Sequence, residues 1–153
     1  MKALQLLTKT NNSAAPLLAR LTLGLVMFPH GAQMALGWFG GYGFAGTMGF
    51  FTGTMHIPAL FAFLAILAEF AGSIALILGF LSRVAALGIA SVMGVAVVTS
   101  HLANGFFMNW YGNQKGEGFE YHLLAIGLAL VVMVCGGGRA SVDGGIAQRS
   151  SGK

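Results

Sequence analysis

The hydrophobic pattern of the chain consists of long apolar stretches separated by glycine-rich or polar segments. The clearest stretch runs from Ile57 to Leu81 and carries one formal charge, Glu69, close to its centre. At a rise of about 1.5 Å per residue, a helix of this length crosses a hydrocarbon core of about 30 Å. The pattern therefore predicts a transmembrane helix with an acid at mid-membrane.

The predicted helix has two different faces. Its small or polar residues and its bulky residues each repeat at helical spacing: Ala62, Ala65, Glu69, Gly72 and Ser73 on one face, and Phe63, Leu67, Phe70, Ile74 and Ile77 on the other. Small residues allow close helix packing in membranes, whereas bulky apolar residues suit lipid. An ionised carboxylate at this depth is costly. Glu69 is therefore expected to face neighbouring helices and to need a partner, a proton or a wet cavity.

Three further apolar stretches complete the predicted architecture, an all-α integral membrane bundle of four transmembrane helices in a single domain, 1–153. The helices are predicted at about 16–37, 57–81, 84–103 and 119–135. The connections 38–56 and 104–118 are aromatic and rich in glycine, which predicts loops at the outer interface, the first with a short helix near 45–51. The polar tail 136–153 is expected to be mobile.

Composition supports the membrane assignment and excludes other classes. The 153 residues are 56% hydrophobic and only 8% charged, with a mean hydropathy of +0.79. Soluble domains carry about 25% charged residues. The sequence has no basic patch with interleaved base-reading residues, so nucleic-acid binding is excluded. Cys135 is the only cysteine, which argues against dithiol chemistry within the chain.

The basic residues predict the orientation of the bundle. Only Lys115 falls in a predicted outer connection. The others fall on the opposite side of a four-helix serpentine: Lys2, Lys9, Arg20, Arg83, Arg139, Arg149 and Lys153. Cytoplasmic segments of membrane proteins carry an excess of Lys and Arg, so both termini are expected in the cytoplasm. Arg20, one turn into the first helix, is expected to extend towards the lipid headgroups.

Depth along the predicted helices places the polar candidates at the centre or in the outer half of the bundle. They are His30, Glu69, His101, Glu120 and His122. His30 lies about one helical turn above Glu69 and is its best partner, because a shared proton would reduce the burial penalty of both groups. Alternatively, Glu69 is a buried carboxyl that only fixes packing, and His101 is an interfacial anchor. Glu120 and His122 lie about 200° apart on a helix and should face different neighbours.

The residue types argue against the metal sites that helical bundles commonly build. Carboxylate di-metal sites need Glu-x-x-His on two helices, and neither this motif nor two histidines four residues apart occurs in the sequence. No metal site is predicted, and a site built from three scattered histidines is the alternative.

Short motifs follow one another in a fixed order between Leu18 and Gly144. They are Arg20-x3-Gly24-x5-His30-Gly31, Pro58, Glu69-Phe70-Ala71-Gly72, Gly79-Phe80-Leu81-Ser82-Arg83, Gly118-Phe119-Glu120-Tyr121 and Gly136-Gly137-Gly138-Arg139-Ala140-Ser141-Val142-Asp143. In this order they resemble the DoxX family of small four-helix bacterial and archaeal membrane proteins. Gln33 is a departure, because many relatives carry a lysine after the His-Gly pair.

The resemblance implies a place in the prokaryotic cytoplasmic membrane and a link to quinones. Relatives are associated with quinone-linked oxidation of thiosulfate and with membrane oxidoreductase assemblies. A quinone needs an apolar slot with a few convergent polar groups. The polar candidates in the outer half offer those groups, and the aromatic residues expected to line the slot are Phe50, Phe51, Phe106, Trp110 and Tyr121.

The expected function is therefore that of a quinone-binding or proton-handling subunit of a membrane redox assembly. No covalently bound cofactor is expected. The expected partners are the lipid bilayer and redox protein subunits, and assembly into a homo-oligomer stays open, as does catalysis by the chain itself. One alternative is a structural or assembly protein without activity of its own. Another is a small proton or solute conduit, which the apolar inner half disfavours.

Reporter fusions test the predicted orientation. Fusions at Gly46 and Asn113 are expected to report the outer side of the membrane, because only Lys115 provides a basic residue there. Fusions at Arg83 and Lys153 are expected to report the cytoplasm. Cytoplasmic reporter activity at Gly46 or Asn113 would falsify the assignment.

Overall fold

A computed structural model describes residues 7–151, and this part of the chain is helical without any strand. The helices, in chain order, are α1 (Ala14–Leu36), α2 (Gly43–Gly49), α3 (Ala59–Leu78), α4 (Ser82–Ala96), α5 (Glu120–Cys135) and α6 (Val142–Ser151). Two π-helical turns interrupt the regular pattern, one after α2 at Phe50–Thr54 and one after α4 at Val97–His101.

The four long helices pack side by side, with α1 against α3 and α5, and α4 against the same two helices. Their shared core is apolar and closed, and its largest members are Leu23, Met27, Leu76, Ile89 and Val132. One end of the molecule carries the α1–α3 and α4–α5 connections and is called the loop end here. The opposite end, the terminal end, carries the α3–α4 turn, the segment before α1, and α6.

Two helices of the described chain are long and apolar enough to cross a membrane. They are Ala59–Leu78, and Ser82–Asn104 when the turns that follow α4 are included. Glu120–Cys135 is a shorter apolar helix. α3 lies within the predicted range 57–81 and ends at Gly79, whose left-handed conformation (φ 69°) is the usual helix stop.

The polar tail is ordered over its described part, so the prediction of a mobile tail is wrong up to residue 151; residues 152 and 153 lie outside the described range. The Asp143 side chain is 1% exposed. Its carboxylate accepts hydrogen bonds from the backbone N–H groups of Leu81 (2.8 Å) and Ser82 (2.9 Å). These amides begin α4 and have no partner within the helix. The tail therefore folds back because it supplies the N-terminal cap that α4 lacks.

Arg20 is buried and does not extend to the headgroups, contrary to the expectation from its position. Its side chain is 1% exposed. The guanidinium donates hydrogen bonds to five backbone carbonyls: Leu76 (2.9 Å), Ile77 (2.6 Å), Gly137 (2.7 Å), Arg139 (3.2 Å) and Ala140 (2.8 Å). The last carbonyls of a helix have no helical donor and carry partial negative charge. They replace water around the cation, which removes the reason to reach the headgroups.

Arg83 likewise donates hydrogen bonds to the last carbonyls of α5. It donates to the carbonyls of Met133 (2.6 Å) and Val134 (3.1 Å) at the end of that helix. It also donates to the carbonyl of Lys9, in the segment that leads into α1. The two arginines and Asp143 thus tie the ends of α3, α4 and α5 to the chain termini.

Replacing Arg20 is expected to destabilise the fold strongly, because five backbone carbonyls at the terminal end lose a hydrogen bond from its guanidinium. Arg20→Met should lower the free energy of unfolding by at least about 3 kcal/mol, the scale for breaking a buried charged network. Arg20→Lys should recover only part of this loss, since an ammonium cannot reach five carbonyls in one plane. Thermal unfolding in mild detergent measures both effects.

Arg149→Met is the matched control, because Arg149 is exposed on α6. It should unfold like the unmodified protein. Equal stability of Arg20→Met and Arg149→Met would show that the buried guanidinium does not hold the terminal end together.

Candidate functional site

Glycines bring the backbones of α1 and α3 into direct contact at the level of Glu69. A Cβ atom on Gly31 would lie 2.6 Å from the carbonyl oxygen of Glu69 and 2.5 Å from the Cα of Phe70. Two turns earlier, a Cβ on Gly24 would lie 3.0 Å from the carbonyl oxygen of Ser73. Only glycine permits this approach. The spacing of seven residues therefore places both glycines on the face of α1 that meets α3.

An apolar groove of about 620 Å³ runs between α3 and α4, and is called the α3–α4 groove here. Phe50, Phe51 and Met55 from the α1–α3 connection cover its loop end. α3 contributes Phe61, Leu64, Ala65, Leu67, Ala68 and Glu69, and α4 with its following turn contributes Val84, Gly88, Ser91, Val92, Val95, Ala96, Thr99 and Ser100. Several of these side chains, Phe61 and Leu64 among them, are exposed on the outer surface of the bundle.

Glu69 is the polar group of this groove that has no partner. The hydroxyls of Ser91 and Thr99 donate to carbonyls of their own helix, those of Leu87 (2.8 Å) and Val95 (2.9 Å). The Glu69 side chain is 7% exposed, and within residues 7–151 it accepts no hydrogen bond. A buried carboxyl without a partner is rare in proteins and calls for a ligand, a water or a functional reason.

The expected pair between Glu69 and His30 does not form. No hydrogen bond joins the two side chains in the described chain, and His30 is exposed. Its ring packs instead against Tyr121, with centroids 6.3 Å apart. Gly31, and not His30, occupies the face of α1 that touches α3.

Both π-helical turns border the loop end of the groove. Phe50 and Phe51 come from the first turn, and Thr99 and Ser100 come from the second. A π turn inserts a residue and rotates the side chains that follow, and such turns are found preferentially at functional sites. The two π-helical turns therefore supply the side chains that line the groove at its loop end.

A second cluster of polar rings lies between α1, α4 and α5 near the loop end, and is called the histidine cluster here: His30, His101, Tyr121 and His122. The rings of His101 and His122 are 4.1 Å apart. His122 is 6% exposed, and its Nδ1 atom has no hydrogen-bond partner. His101 Nδ1 lies 2.9 Å from the carbonyl oxygen of Glu117. His101 therefore contacts α5 through the His122 ring and the α4–α5 connection through Glu117.

Glu120 holds the α4–α5 connection in place. Its Oε1 atom accepts hydrogen bonds from the backbone N–H of Met108 (2.9 Å) and the indole N–H of Trp110 (3.1 Å). Glu117 accepts from the backbone N–H of Asn109 (2.6 Å). Glu120 thus contacts the connection while His122 contacts His101, as their angular separation predicts.

The groove differs in composition from the pocket expected from the sequence. Of the expected residues, the groove includes Phe50, Phe51 and Glu69. The others lie elsewhere: His30, His101, Tyr121 and His122 in the histidine cluster, Glu120 and Trp110 in the α4–α5 connection, and Phe106 against Phe107 and Phe119. Sequence reasoning missed the α4 wall, whose only signal is the run of small residues that includes Gly88 and Ser91. No group of three or more metal-ligating side chains occurs in the described chain.

Comparison with known proteins identifies the family. The model of the DoxX family matches residues 15–102, more than half of the 153-residue chain. The match covers α1, α3 and α4, and with them Arg20, Gly31, Glu69 and the α3–α4 groove. No curated protein and no solved structure gives a match.

Removing the carboxylate of Glu120 is expected to loosen the α4–α5 connection. Lys115 offers trypsin a cleavage site there. Glu120→Leu should speed cleavage after Lys115 about tenfold, because two hydrogen bonds are lost and local opening becomes easier. Glu120→Gln keeps an acceptor oxygen and should be cleaved like the unmodified protein. Equal cleavage of the Leu and Gln variants would contradict this role.

Proposed function

The chain belongs to the DoxX family, and from that premise we propose that it is a four-helix membrane protein that binds a quinone in the α3–α4 groove. The single observation that carries the proposal is a long apolar groove with one buried, unpartnered carboxyl, Glu69, in its wall. In this proposal the chain acts as a subunit of a redox assembly in a prokaryotic cytoplasmic membrane.

The topology that goes with this function has four membrane-spanning helices and both termini in the cytoplasm. The distribution of Lys and Arg supports it, since Lys115 is at the loop end while Lys9, Arg20, Arg83 and Arg139 are at the terminal end. α1 is the helix with a buried cation, and the five carbonyls around Arg20 make that cation compatible with a membrane.

The dimensions of the groove suit a quinone. Ligand pockets usually measure about 300–1,000 Å³ and are mostly apolar, and this groove has about 620 Å³. Along α4 it extends from Val84 to Ser100, which corresponds to about 24 Å of helix. This length accommodates a ring and the first part of an isoprenoid tail. The exposed side chains on its rim give a lipid-soluble ligand access from the bilayer.

Glu69 supplies the polar contact that fixes the ring. A protonated carboxyl donates a hydrogen bond to a quinone carbonyl oxygen, and its burial excludes competing water. The bound quinone supplies the two-electron chemistry, and the electrons come from a partner subunit. The role of this chain is to bind the ring, to orient it by one hydrogen bond and to hold a proton at the Glu69 carboxyl.

A structural or assembly role is the second candidate. It is favoured by the number of polar side chains that the fold itself uses, since Arg20, Arg83, Glu120 and Asp143 all make internal hydrogen bonds. Glu69 is the exception, because packing alone gives its carboxyl no partner. The two candidate functions therefore predict different results for a variant in which a large side chain fills the groove.

Filling the groove is expected to displace the quinone without unfolding the protein. Ala65 lines the groove, so Ala65→Trp should remove most of the quinone that co-purifies from native membranes, as measured by extraction and mass spectrometry. Ala71→Trp is the matched control, because Ala71 lies on the exposed face of α3 outside the groove. It should retain the quinone content of the unmodified protein.

Substituting Glu69 tests the hydrogen bond to the ring. Glu69→Leu should weaken binding of a short-chain quinone about tenfold, the value of one hydrogen bond of about 1.4 kcal/mol. Glu69→Gln should bind nearly as well, since its amide also donates. If neither the unmodified protein nor any variant carries quinone while a protein partner co-purifies in stoichiometric amount, the structural role is correct.

A further inference from the structure

We propose that His101 and His122 form a pH-sensitive clasp, which fastens the α4–α5 connection at neutral pH and releases it on acidification. The observation that carries the proposal is the contact between their two imidazole rings, one of which is buried with an unpartnered nitrogen. The proposal concerns the loop end of the fold and does not depend on what the α3–α4 groove binds.

The two rings come from the two elements that the connection joins. His101 ends the π-helical turn Val97–His101 that follows α4, and His122 lies in the first turn of α5. Their ring centroids are 4.1 Å apart, and their planes are tilted by 44°. His122 is 6% exposed, whereas His101 is half-buried. The pair therefore holds the end of the π turn against the start of α5.

His101 also fastens the connection directly. Its Nδ1 atom lies 2.9 Å from the carbonyl oxygen of Glu117, and the side-chain amide of Asn104 donates to the same oxygen (3.1 Å). Two backbone hydrogen bonds close the connection beside this point. The N–H groups of Phe119 and Glu120 donate to the carbonyls of Gly105 (3.2 Å) and Phe106 (2.9 Å). Exchange of these two amides therefore reports whether the clasp is closed.

The closed arrangement accommodates at most one positive charge. Two imidazolium rings at this distance repel each other. A charged His122 would also carry an N–H donor at both ring nitrogens, and its buried Nδ1 atom has no acceptor in the described chain. A buried donor without an acceptor is costly. When the rings separate and meet water, each can take up a proton, so the open arrangement binds more protons than the closed one.

This difference in bound protons sets the direction of the pH effect. A state that binds more protons is favoured as the pH falls. Imidazoles ordinarily titrate near pH 6.5. Below about this pH the open form holds one more proton than the closed form, so the opening constant should rise about tenfold per pH unit. Well above it both forms are neutral at the two rings, and the clasp stays closed.

Other titratable groups surround the pair but do not bond to it. The Tyr121 ring lies between His122 (5.6 Å between centroids) and His30 (6.3 Å). None of the neighbouring titratable side chains forms a hydrogen bond with either imidazole in the described chain; they are His30 on α1, Glu69 on α3, Arg83 on α4, Tyr121 on α5, and Lys115, Glu117 and Glu120 in or beside the connection. Substituting His122 leaves all of them in place and so separates their titration from that of the clasp.

The clasp also borders the α3–α4 groove. Thr99 and Ser100 belong to the same π turn as His101, and both line the groove. Asn104, which shares the Glu117 carbonyl with His101, donates to the carbonyl of Ser100 as well (3.2 Å). Release of His101 therefore removes a support from the turn that lines the loop end of the groove.

Hydrogen exchange of the full chain in detergent micelles tests the proposal. Exchange is followed by mass spectrometry at pH 7.5, 6.5 and 5.5, and the rates are corrected for the intrinsic effect of pH on amide exchange. Protection of the Phe119 and Glu120 amides should fall about tenfold between pH 6.5 and 5.5, and much less between pH 7.5 and 6.5. The amides of Leu81 and Ser82, bonded to Asp143 at the terminal end, provide the internal control and should keep their protection.

His122→Phe should make the protection of the Phe119 and Glu120 amides independent of pH over this range, because the second charge can no longer form. His122→Gln is uncharged and polar, and covers the case in which the phenyl ring does not fit. His56→Asn is the control, because His56 is exposed and has a left-handed backbone that asparagine tolerates; it should respond like the unmodified protein. Constant protection in the unmodified protein from pH 7.5 to 5.5, or an equal fall in the His122 variants, overturns the proposal.

Discussion

The buried guanidinium of Arg20 is the interaction on which the rest of the structure depends. It satisfies the last carbonyls of α3 and those of the Gly137–Ala140 turn with one side chain. The Gly137–Ala140 turn also positions Asp143, whose carboxylate caps the first amides of α4. Because the free ends of membrane helices are costly to bury, this network decides how α3 and α4 emerge from their shared turn. The α3–α4 groove lies between these two helices.

Close backbone contact is the second constraint, and it explains the position of Glu69. Gly31 lets α1 rest directly on the peptide of Glu69. This contact holds α3 so that the carboxyl lies at the wall of the groove. A packing motif built from glycine thus supports the binding site proposed for this protein.

Much of the fold could be predicted from the sequence, because the helical spacing of apolar residues and the length of each apolar stretch can be read from neighbouring residues alone. The helices, the inward position of Glu69 and the divergence of Glu120 and His122 all follow from that period, and the family match supports the order of the motifs. The tail could not be predicted in this way. Its glycines and serines are typical of mobile segments, and only the three-dimensional structure brings Asp143 to α4. The burial of Arg20 could not be predicted for the same reason, since its partners lie more than fifty residues away in the chain.

The site was harder to predict than the fold, because the depth of a residue along its helix does not show which side chain of another helix it contacts. His30 lies at a suitable height for Glu69, yet it faces Tyr121.

The most direct measurement is photo-crosslinking with a photoreactive quinone analogue, followed by mass spectrometric mapping of the adducts. Adducts are expected on residues that line the groove, such as Ala65, Ser91 and Phe50. Adducts confined to α1 and α5, or labelling that excess quinone does not prevent, would contradict it.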